Sequence, residues 1–328
     1  MSGKKGDTSI RDPIIIVAAP RSGSSLLLAA LSAHPDLWSL YKESNQILEG
    51  PFHPELRGAD SHALSEDDLD VMTREQILED FFKSAGNLER LPLARHVPLR
   101  GRGRPWYSTT ISMVSLPFKR PPIRLVEKSP RNTLRIPFIR KLFADARFIH
   151  LTRDARANIA SLYGGWQDPL HYNVRPLPEG FRLNGYDGSH WCFVLQPDWR
   201  SLDGSSLVDA CADQWRACNE HCLRDLREMP AERVFRLKFE DLVRSPATSL
   251  AKIATWADLD AKPFARFSDG LPVVQRSTSP TGMIRDTLPG EIEAILPHLA
   301  ALRTQMGYAD PFTQSDATDT RNGAGAEG

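Results

Sequence analysis

The stretch AAPRSGSSLLLAAL, residues 18–31, decides the fold class. It begins inside an apolar run, residues 14–19, that predicts a buried strand, and it leads into residues 24–33, which predict a helix. A tight turn between strand and helix presents backbone N–H groups at a helix N-terminus, where the helix dipole favours an anion. We therefore predict a phosphate-binding turn over residues 20–25.

The residues of this turn differ from the phosphate loop of a nucleotide kinase. Ser24 stands where that loop carries the lysine that reaches the β- and γ-phosphates. Gly23 lets the backbone close around a phosphate, and Arg21 supplies a cation two residues earlier. The predicted binding residues are Arg21, Ser22, Gly23, Ser24 and Ser25. Such a turn suits a single phosphate, although an ordinary strand–turn–helix junction with a surface arginine has the same pattern.

Strand and helix signals alternate along the rest of the chain, which predicts an α/β fold with a parallel sheet covered by helices. In such sheets, ligands bind beyond the carboxyl ends of the strands. The further strand candidates are residues 123–127, 147–152 and 233–238, and the further helix candidates are residues 65–82, 131–143, 155–163, 206–228, 247–257 and 289–306.

The chain is predicted to form one domain over residues 12–312, with disordered ends at residues 1–11 and 313–328. Two segments interrupt the strand–helix alternation, at about residues 60–120 and 164–205. The second is rich in aromatic residues, which favour either an acceptor-binding wall or simple core filling. The arginines of residues 90–104 indicate a solvated loop or a surface for an acidic acceptor or carrier protein.

Composition limits the function classes. A formal net charge of zero argues against a general nucleic-acid binder. No apolar run approaches the roughly 20 residues of a membrane span, so we expect a cytoplasmic protein. Cys211, Cys218 and Cys222 share a helical stripe with Trp215, which favours buried apolar packing over a metal site or a disulfide.

A second phosphate motif is found in FIHLTRDARANIASLY, residues 148–163. A strand ends in Thr152-Arg153-Asp154, and Thr152 or Asp154 can cap the helix that follows. Arg153 lies at the strand end, and Ser161 lies two helical turns further on. An arginine and a hydroxyl so placed can bind a second phosphate.

The two motifs in this order resemble the nucleotide-binding stretches of the sulfotransferases, which use 3′-phosphoadenosine 5′-phosphosulfate (PAPS). The segments SAHPDL, VEKSPRN, LKFEDLV and QRSTS add to the resemblance, which is strongest to the tyrosylprotein and bacterial branches. It implies a P-loop-like three-layer fold. It also implies that the first turn holds the 5′-phosphosulfate and that Arg153 and Ser161 hold the 3′-phosphate.

The resemblance also implies catalytic roles. Lys128 resembles the lysine at the leaving oxygen, with a surface lysine before a helix cap as the alternative. Glu43 resembles the catalytic base, although it stands one residue further along than that pattern, and a solvated loop glutamate is the alternative. Ser277 resembles a hydroxyl near the donor. Histidine serves as the base in cytosolic members, so alternative bases are His53, His96 and His171.

The function implied is transfer of a sulfuryl group from PAPS to a hydroxyl or amine of a small-molecule or carrier-bound acceptor, with adenosine 3′,5′-bisphosphate as product. No metal, nucleic acid or membrane is implied, and the oligomeric state is left open. The alternatives are a P-loop-type small-molecule kinase and a non-catalytic nucleotide-binding protein.

Overall fold

The computed structural model of the chain describes residues 10–40, 43–50, 52–89, 124–168, 172–271 and 289–308. Its strands are β1 (Ile14–Val17), β2 (Leu37–Ser39), β3 (Arg124–Lys128), β4 (Arg147–Thr152), β5 (Asn173–Pro176), β6 (His190–Cys192) and β7 (Val234–Lys238). Its α-helices are α1 (Ser24–Ser32), α2 (Asn45–Glu49), α3 (Pro54–Arg57), α4 (Val71–Glu89), α5 (Ile136–Leu142), α6 (Ala155–Trp166), α7 (Leu207–Arg227), α8 (Phe239–Arg244), α9 (Pro246–Trp256), α10 (Pro289–Ile295) and α11 (Ala300–Gln305).

Five of the strands form one parallel sheet in the order β2–β3–β1–β4–β7. Ile16 of β1 pairs with Lys128 at the end of β3, and Thr152 at the end of β4 pairs with Lys238 at the end of β7. The carboxyl ends of the central strands therefore meet at one edge of the sheet, which confirms the predicted α/β fold. Residues predicted to bind phosphate follow β1 and β4 at this edge.

Helices bury both faces of the sheet, because the strands are apolar on both sides. Ile14 and Ile16 share a core with α1 and α9 on one face. Ile15 and Val17 share a core with α4, α5 and α7 on the other. This two-sided burial is the usual environment of parallel strands, and it holds the carboxyl ends rigidly in register.

Two predicted helices are interrupted by proline. The segment predicted as one helix over residues 131–143 is a 3₁₀ turn, Pro130–Leu134, followed by α5 with Pro137 in its first turn. The segment predicted over residues 289–306 is α10, a 3₁₀ turn at Leu296–Leu299, and α11. Proline has no N–H to donate within a helix, so a break before it is expected.

The cysteine stripe is buried as predicted. Cys211, Cys218 and Cys222 of α7 are fully enclosed, as is Trp215 between them. Within the described part of the chain, no group of His, Cys, Asp and Glu side chains is arranged to hold a metal ion. The prediction of one domain over residues 12–312 stays a prediction.

Candidate active site

The turn after β1 forms the first part of the candidate site. Arg21 and Gly23 both have left-handed backbone, with φ of 66° and 89°. Glycine adopts this conformation without the steric cost that a Cβ brings. Helix α1 begins directly afterwards, and the N–H groups of Leu26 and Leu27 donate to the Gly23 carbonyl. The earlier N–H groups of the helix lie at the turn, as an anion site requires.

The three serines of the turn have different environments. The hydroxyl of Ser22 accepts a hydrogen bond of 2.7 Å from the Asn158 amide of α6, and both residues are buried. Ser22 therefore ties the turn to α6. Ser24 is buried at the start of α1, whereas Ser25 is exposed and presents its side chain to solvent.

The two predicted phosphate motifs lie against each other. The guanidinium of Arg153 donates to the backbone carbonyl of Arg21 at 2.8 Å. The guanidinium of Arg21 donates to Ser161 Oγ at 3.3 Å and to the Tyr172 hydroxyl at 2.7 Å. Arg21, Arg153 and Ser161 thus belong to one hydrogen-bonded group, although more than a hundred residues separate the two motifs. Of the two predicted caps, Thr152 and Asp154, it is Asp154 that caps α6, by accepting from the Arg156 N–H.

Phe239 packs beneath this group and was not singled out in the sequence. The Arg153 guanidinium carbon lies 4.8 Å from the centre of the Phe239 ring, within cation–π range. A Cβ added to Gly23 would lie 2.4 Å from two carbons of the same ring. Phe239 therefore fixes the distance between the two motifs, and only glycine fits at position 23.

We predict that Gly23→Ala lowers the free energy of unfolding and weakens binding of adenosine 3′,5′-bisphosphate. Left-handed backbone costs a residue with a Cβ about 1–2 kcal/mol, and the clash with Phe239 adds about 1–3 kcal/mol. Urea denaturation measures the loss. Gly204→Ala is the matched control, since Gly204 has φ of 79° and open space around it. An equal loss in both variants would contradict the steric argument.

Lys128 and Glu43 form an ion pair at the neighbouring strand end. Lys128 ends β3 with its side chain 6% exposed, and the Glu43 side chain is 36% exposed. Asn45 donates to the second Glu43 oxygen at 3.0 Å and accepts from the Ser129 hydroxyl at 2.7 Å. The structure thus brings together the two predicted catalytic residues, which lie 85 positions apart in the chain.

Glu127, beside Lys128 in β3, is buried in the same region. One of its oxygens accepts from the Ser44 N–H at 3.2 Å and from the Ser44 hydroxyl at 2.5 Å. The other accepts from the Asn132 amide at 2.5 Å. Burial raises the pKa of Glu127 to about 7, against the effect of the hydrogen bonds from Ser44. Glu127 lies in the segment VEKSPRN, but it was given no role, because a glutamate in a strand before a lysine has no distinctive spacing.

A second buried acid attaches α2 to the segment after β3. Glu49 contacts Arg131, and it accepts from Arg135 Nη2 at 2.6 Å. Burial raises the pKa of Glu49, but the two arginines outweigh it and hold that pKa below its usual value. Glu49 is therefore a buried carboxylate that anchors the segment carrying Glu43.

The aromatic segment, residues 164–205, mainly fills the core. Trp166, Trp191 and Trp199 are fully buried and pack edge-on or tilted against one another. Tyr172 and Phe193 remain half-buried and stack with ring centres 4.4 Å apart. This pair adjoins Arg21, which donates to the Tyr172 hydroxyl.

Several predicted residues lie outside the described part of the chain. These are Ser277 and the histidine bases His96 and His171, together with the arginine-rich residues 90–104. Asn158 and Phe239 were missed, and Tyr172 was predicted only as one of the aromatic residues of the segment 164–205. Asn158 had a signal, since it lies three residues before Ser161 on the same face of α6.

The family follows from comparison with known proteins. Residues 13–174 match the model of the sulfotransferase family. Residues 13–174 therefore form a sulfotransferase-family region of the chain. The matched region contains both phosphate motifs, Glu43 and Lys128, and the match confirms the prediction of a sulfotransferase.

Three solved structures similar to the chain are as follows. The sulfotransferase from Alicyclobacillus acidocaldarius is 14% identical, with 92% of this chain and 98% of that chain covered and a TM-score of 0.48. The sulfotransferase domain of the Synechococcus PCC 7002 olefin synthase is 20% identical, with coverage of 88% and 90% and a TM-score of 0.42. A mouse sulfotransferase complexed with PAP (adenosine 3′,5′-bisphosphate) is 12% identical, with coverage of 92% of this chain and 90% of that chain and a TM-score of 0.38.

No curated protein matches the chain. Among the helices of the described residues, none combines the length and apolar character needed to cross a membrane.

Proposed function

We propose that this sulfotransferase moves a sulfuryl group from PAPS to a hydroxyl or amine of a small-molecule or carrier-bound acceptor. The observation that carries the proposal is the single hydrogen-bonded group of Arg21, Arg153 and Ser161 at the sheet edge. Two guanidinium groups beside a helix N-terminus suit a ligand with two separate anionic groups. Adenosine carrying a 3′-phosphate and a 5′-phosphosulfate is such a ligand.

The ion pair of Lys128 and Glu43 supports the chemical step. An acceptor oxygen attacks sulfur, the new S–O bond forms, and the bond from sulfur to the 5′-phosphate oxygen breaks. Glu43 takes the acceptor proton, and Lys128 stabilises the charge on the departing phosphate oxygen. Preorganised positive charge at a developing anion is usually the largest single contribution to such a step. The sulfuryl group carries less charge than a phosphoryl group, so the reaction needs no magnesium.

A small-molecule kinase is the competing hypothesis. It requires a lysine that reaches the terminal phosphates, but Ser24 occupies that position and is buried. The neighbouring cation, Arg21, is engaged with Ser161 and Tyr172. The first turn therefore favours the sulfate donor over a nucleoside triphosphate.

We predict that adenosine 3′,5′-bisphosphate raises the melting temperature, whereas AMP and magnesium-ATP have little effect. A ligand at about 100 times its dissociation constant adds about 2.7 kcal/mol to the native state. Arg21→Ala and Arg153→Ala should abolish the shift, because each removes a cation of the site. Arg156→Ala is the matched control, since this arginine lies at the start of α6 and pairs with Glu293.

Radiolabelled PAPS and a panel of hydroxyl and amine acceptors then test transfer. Stabilisation by magnesium-ATP and not by the bisphosphate would overturn the proposal in favour of a kinase. Bisphosphate binding without transfer to any acceptor would favour a non-catalytic nucleotide-binding protein.

A further inference from the structure

Glu127 contacts the centre of the segment that carries the proposed base. The outer residues of the tripeptide 43–45 face the reaction centre. Glu43 accepts a hydrogen bond from Lys128, and Asn45 accepts one from the Ser129 hydroxyl. The middle residue, Ser44, faces the opposite way and gives both its N–H and its hydroxyl to one Glu127 oxygen. Ser44 is fully buried, and Glu127 is 3% exposed.

The hydrogen bond from the Ser44 hydroxyl to Glu127 replaces the helix cap that this hydroxyl would otherwise make. Ser44 is the N-cap residue of α2, and its carbonyl accepts from the N–H groups of Ile47 and Leu48. A serine at this position ordinarily turns its hydroxyl toward the N–H groups of its own helix. Here it makes no such cap, and the hydroxyl bonds Glu127 instead. The carboxylate of Glu127 therefore determines how the tripeptide enters α2.

We propose that Glu127 is a positioning residue that holds Glu43 against Lys128 through Ser44. The inference rests on the proposed function, because it assumes that the pair of Glu43 and Lys128 carries out the transfer. Glu127 itself is enclosed between Ser44 and Asn132 and does not reach the reacting atoms. Its effect is on geometry, and misplacing a catalytic group by about 1 Å can cost about 10²-fold in rate.

The strength of the hydrogen bonds from Ser44 to Glu127 depends on the charge of Glu127. Bonds donated to a carboxylate are about twice as strong as bonds between neutral groups, and protonation removes one accepting position. The charged groups that act on Glu127 are Glu43, which favours protonation, and Lys128 and Arg135, which oppose it. Burial dominates and raises the pKa of Glu127 to about 7. The hydrogen bonds that position Ser44 therefore weaken as the pH falls through 7 and Glu127 takes up a proton.

We predict that Glu127→Gln lowers kcat by about 10- to 100-fold, with little change in the KM for PAPS. The wild type should lose kcat as pH falls through about 7, and the variant should lack this acid limb because glutamine does not titrate. Ser44→Ala should move the limb to higher pH, since the Ser44 hydrogen bond lowers the pKa of Glu127. Asp225→Asn, at a buried acid of α7 that pairs with Arg224, is the matched control, and it should keep the limb near pH 7.

Equilibrium unfolding gives a readout that needs no acceptor. Burial raises the pKa of Glu127 from 4.5 to about 7, so the folded chain holds a proton there that the unfolded chain releases. The stability from this group is present below pH 4.5 and is lost as pH rises through 7. Other titrating groups are common to both proteins. The unfolding free energy of the wild type, relative to that of Glu127→Gln, should therefore fall as the pH rises from 4.5 through 7.

The outcomes separate the inference from the proposed function. If the wild type transfers sulfate but Glu127→Gln keeps its kcat and acid limb, the positioning role is wrong and the proposed function stands. If Glu127→Gln does not fold, the test is the pH profile of Ser44→Ala. An acid limb of kcat that stays at the wild-type pH in this variant overturns the positioning role of Glu127. A wild type that neither binds the bisphosphate nor transfers sulfate overturns both.

Discussion

Lys128→Ala should lower kcat for sulfuryl transfer by about 10²–10³-fold, the loss typical when one preorganised donor to a developing anion is removed. Lys128 ends β3 with a side chain that is only 6% exposed, so its charge acts with little screening by water. The charge on the departing oxygen is greatest in the transition state. The dissociation constant of adenosine 3′,5′-bisphosphate should therefore change much less than kcat.

The fold should survive this substitution. Glu43, which loses its partner, is 36% exposed and keeps its hydrogen bond from Asn45, so water and the amide can solvate its charge. Single-turnover measurement with labelled PAPS isolates the chemical step, and isothermal titration gives the bisphosphate affinity. Lys141→Ala is the control, since this lysine is exposed and remote from the sheet edge. Unchanged kcat in Lys128→Ala would rule out the leaving-group role.

Sequence alone predicted the sheet edge well, because its signals are local. The strands β1, β3, β4 and β7 are short apolar runs bounded by breakers, and they were predicted to within one or two residues. The turn at Gly23 and the cap at Asp154 need specific residue types at fixed positions. Such requirements can be identified without any knowledge of tertiary contacts.

Elements fixed by tertiary contacts were missed. Strand β2 has three residues, too few for a period to be recognised, and its pairing with β3 is what places it in the sheet. The antiparallel pair of β5 and β6 lies in a segment whose tryptophans could fill a core or line a cleft with the same composition. Burial decides between these alternatives, and the composition of this segment does not show which of its rings are buried.

The site was predicted in part for the same reason. Arg153 was predicted because it ends a strand, whereas Lys128 and Glu43 were predicted through family resemblance, and their roles stay predictions. Tyr172 bonds Arg21 across 151 residues, and no spacing within either segment indicates that contact. Glu127 is informative only because it is buried. The chemistry of this edge is therefore encoded locally, whereas the residues that hold it in place depend on the packed fold.

Glu43→Gln should lower kcat by about 10²–10⁴-fold, the usual contribution of a general base. Glutamine keeps the shape of the side chain and can still accept the hydrogen bond from Asn45, so the loss would reflect the missing proton acceptor. The rate of sulfuryl transfer across pH measures it. Glu55→Gln, an exposed acid of α3, is the matched control.

Because Glu43 and Lys128 are in contact, their substitutions should not be additive. The double variant should lose less than the product of the two single losses, since each single change already removes the partner that positions the other. Full additivity would mean that the two side chains act independently. If Glu43→Gln keeps its rate at every pH, the base lies elsewhere. His53, which precedes α3, is the alternative within the described residues, and His53→Ala would then show the loss expected of Glu43.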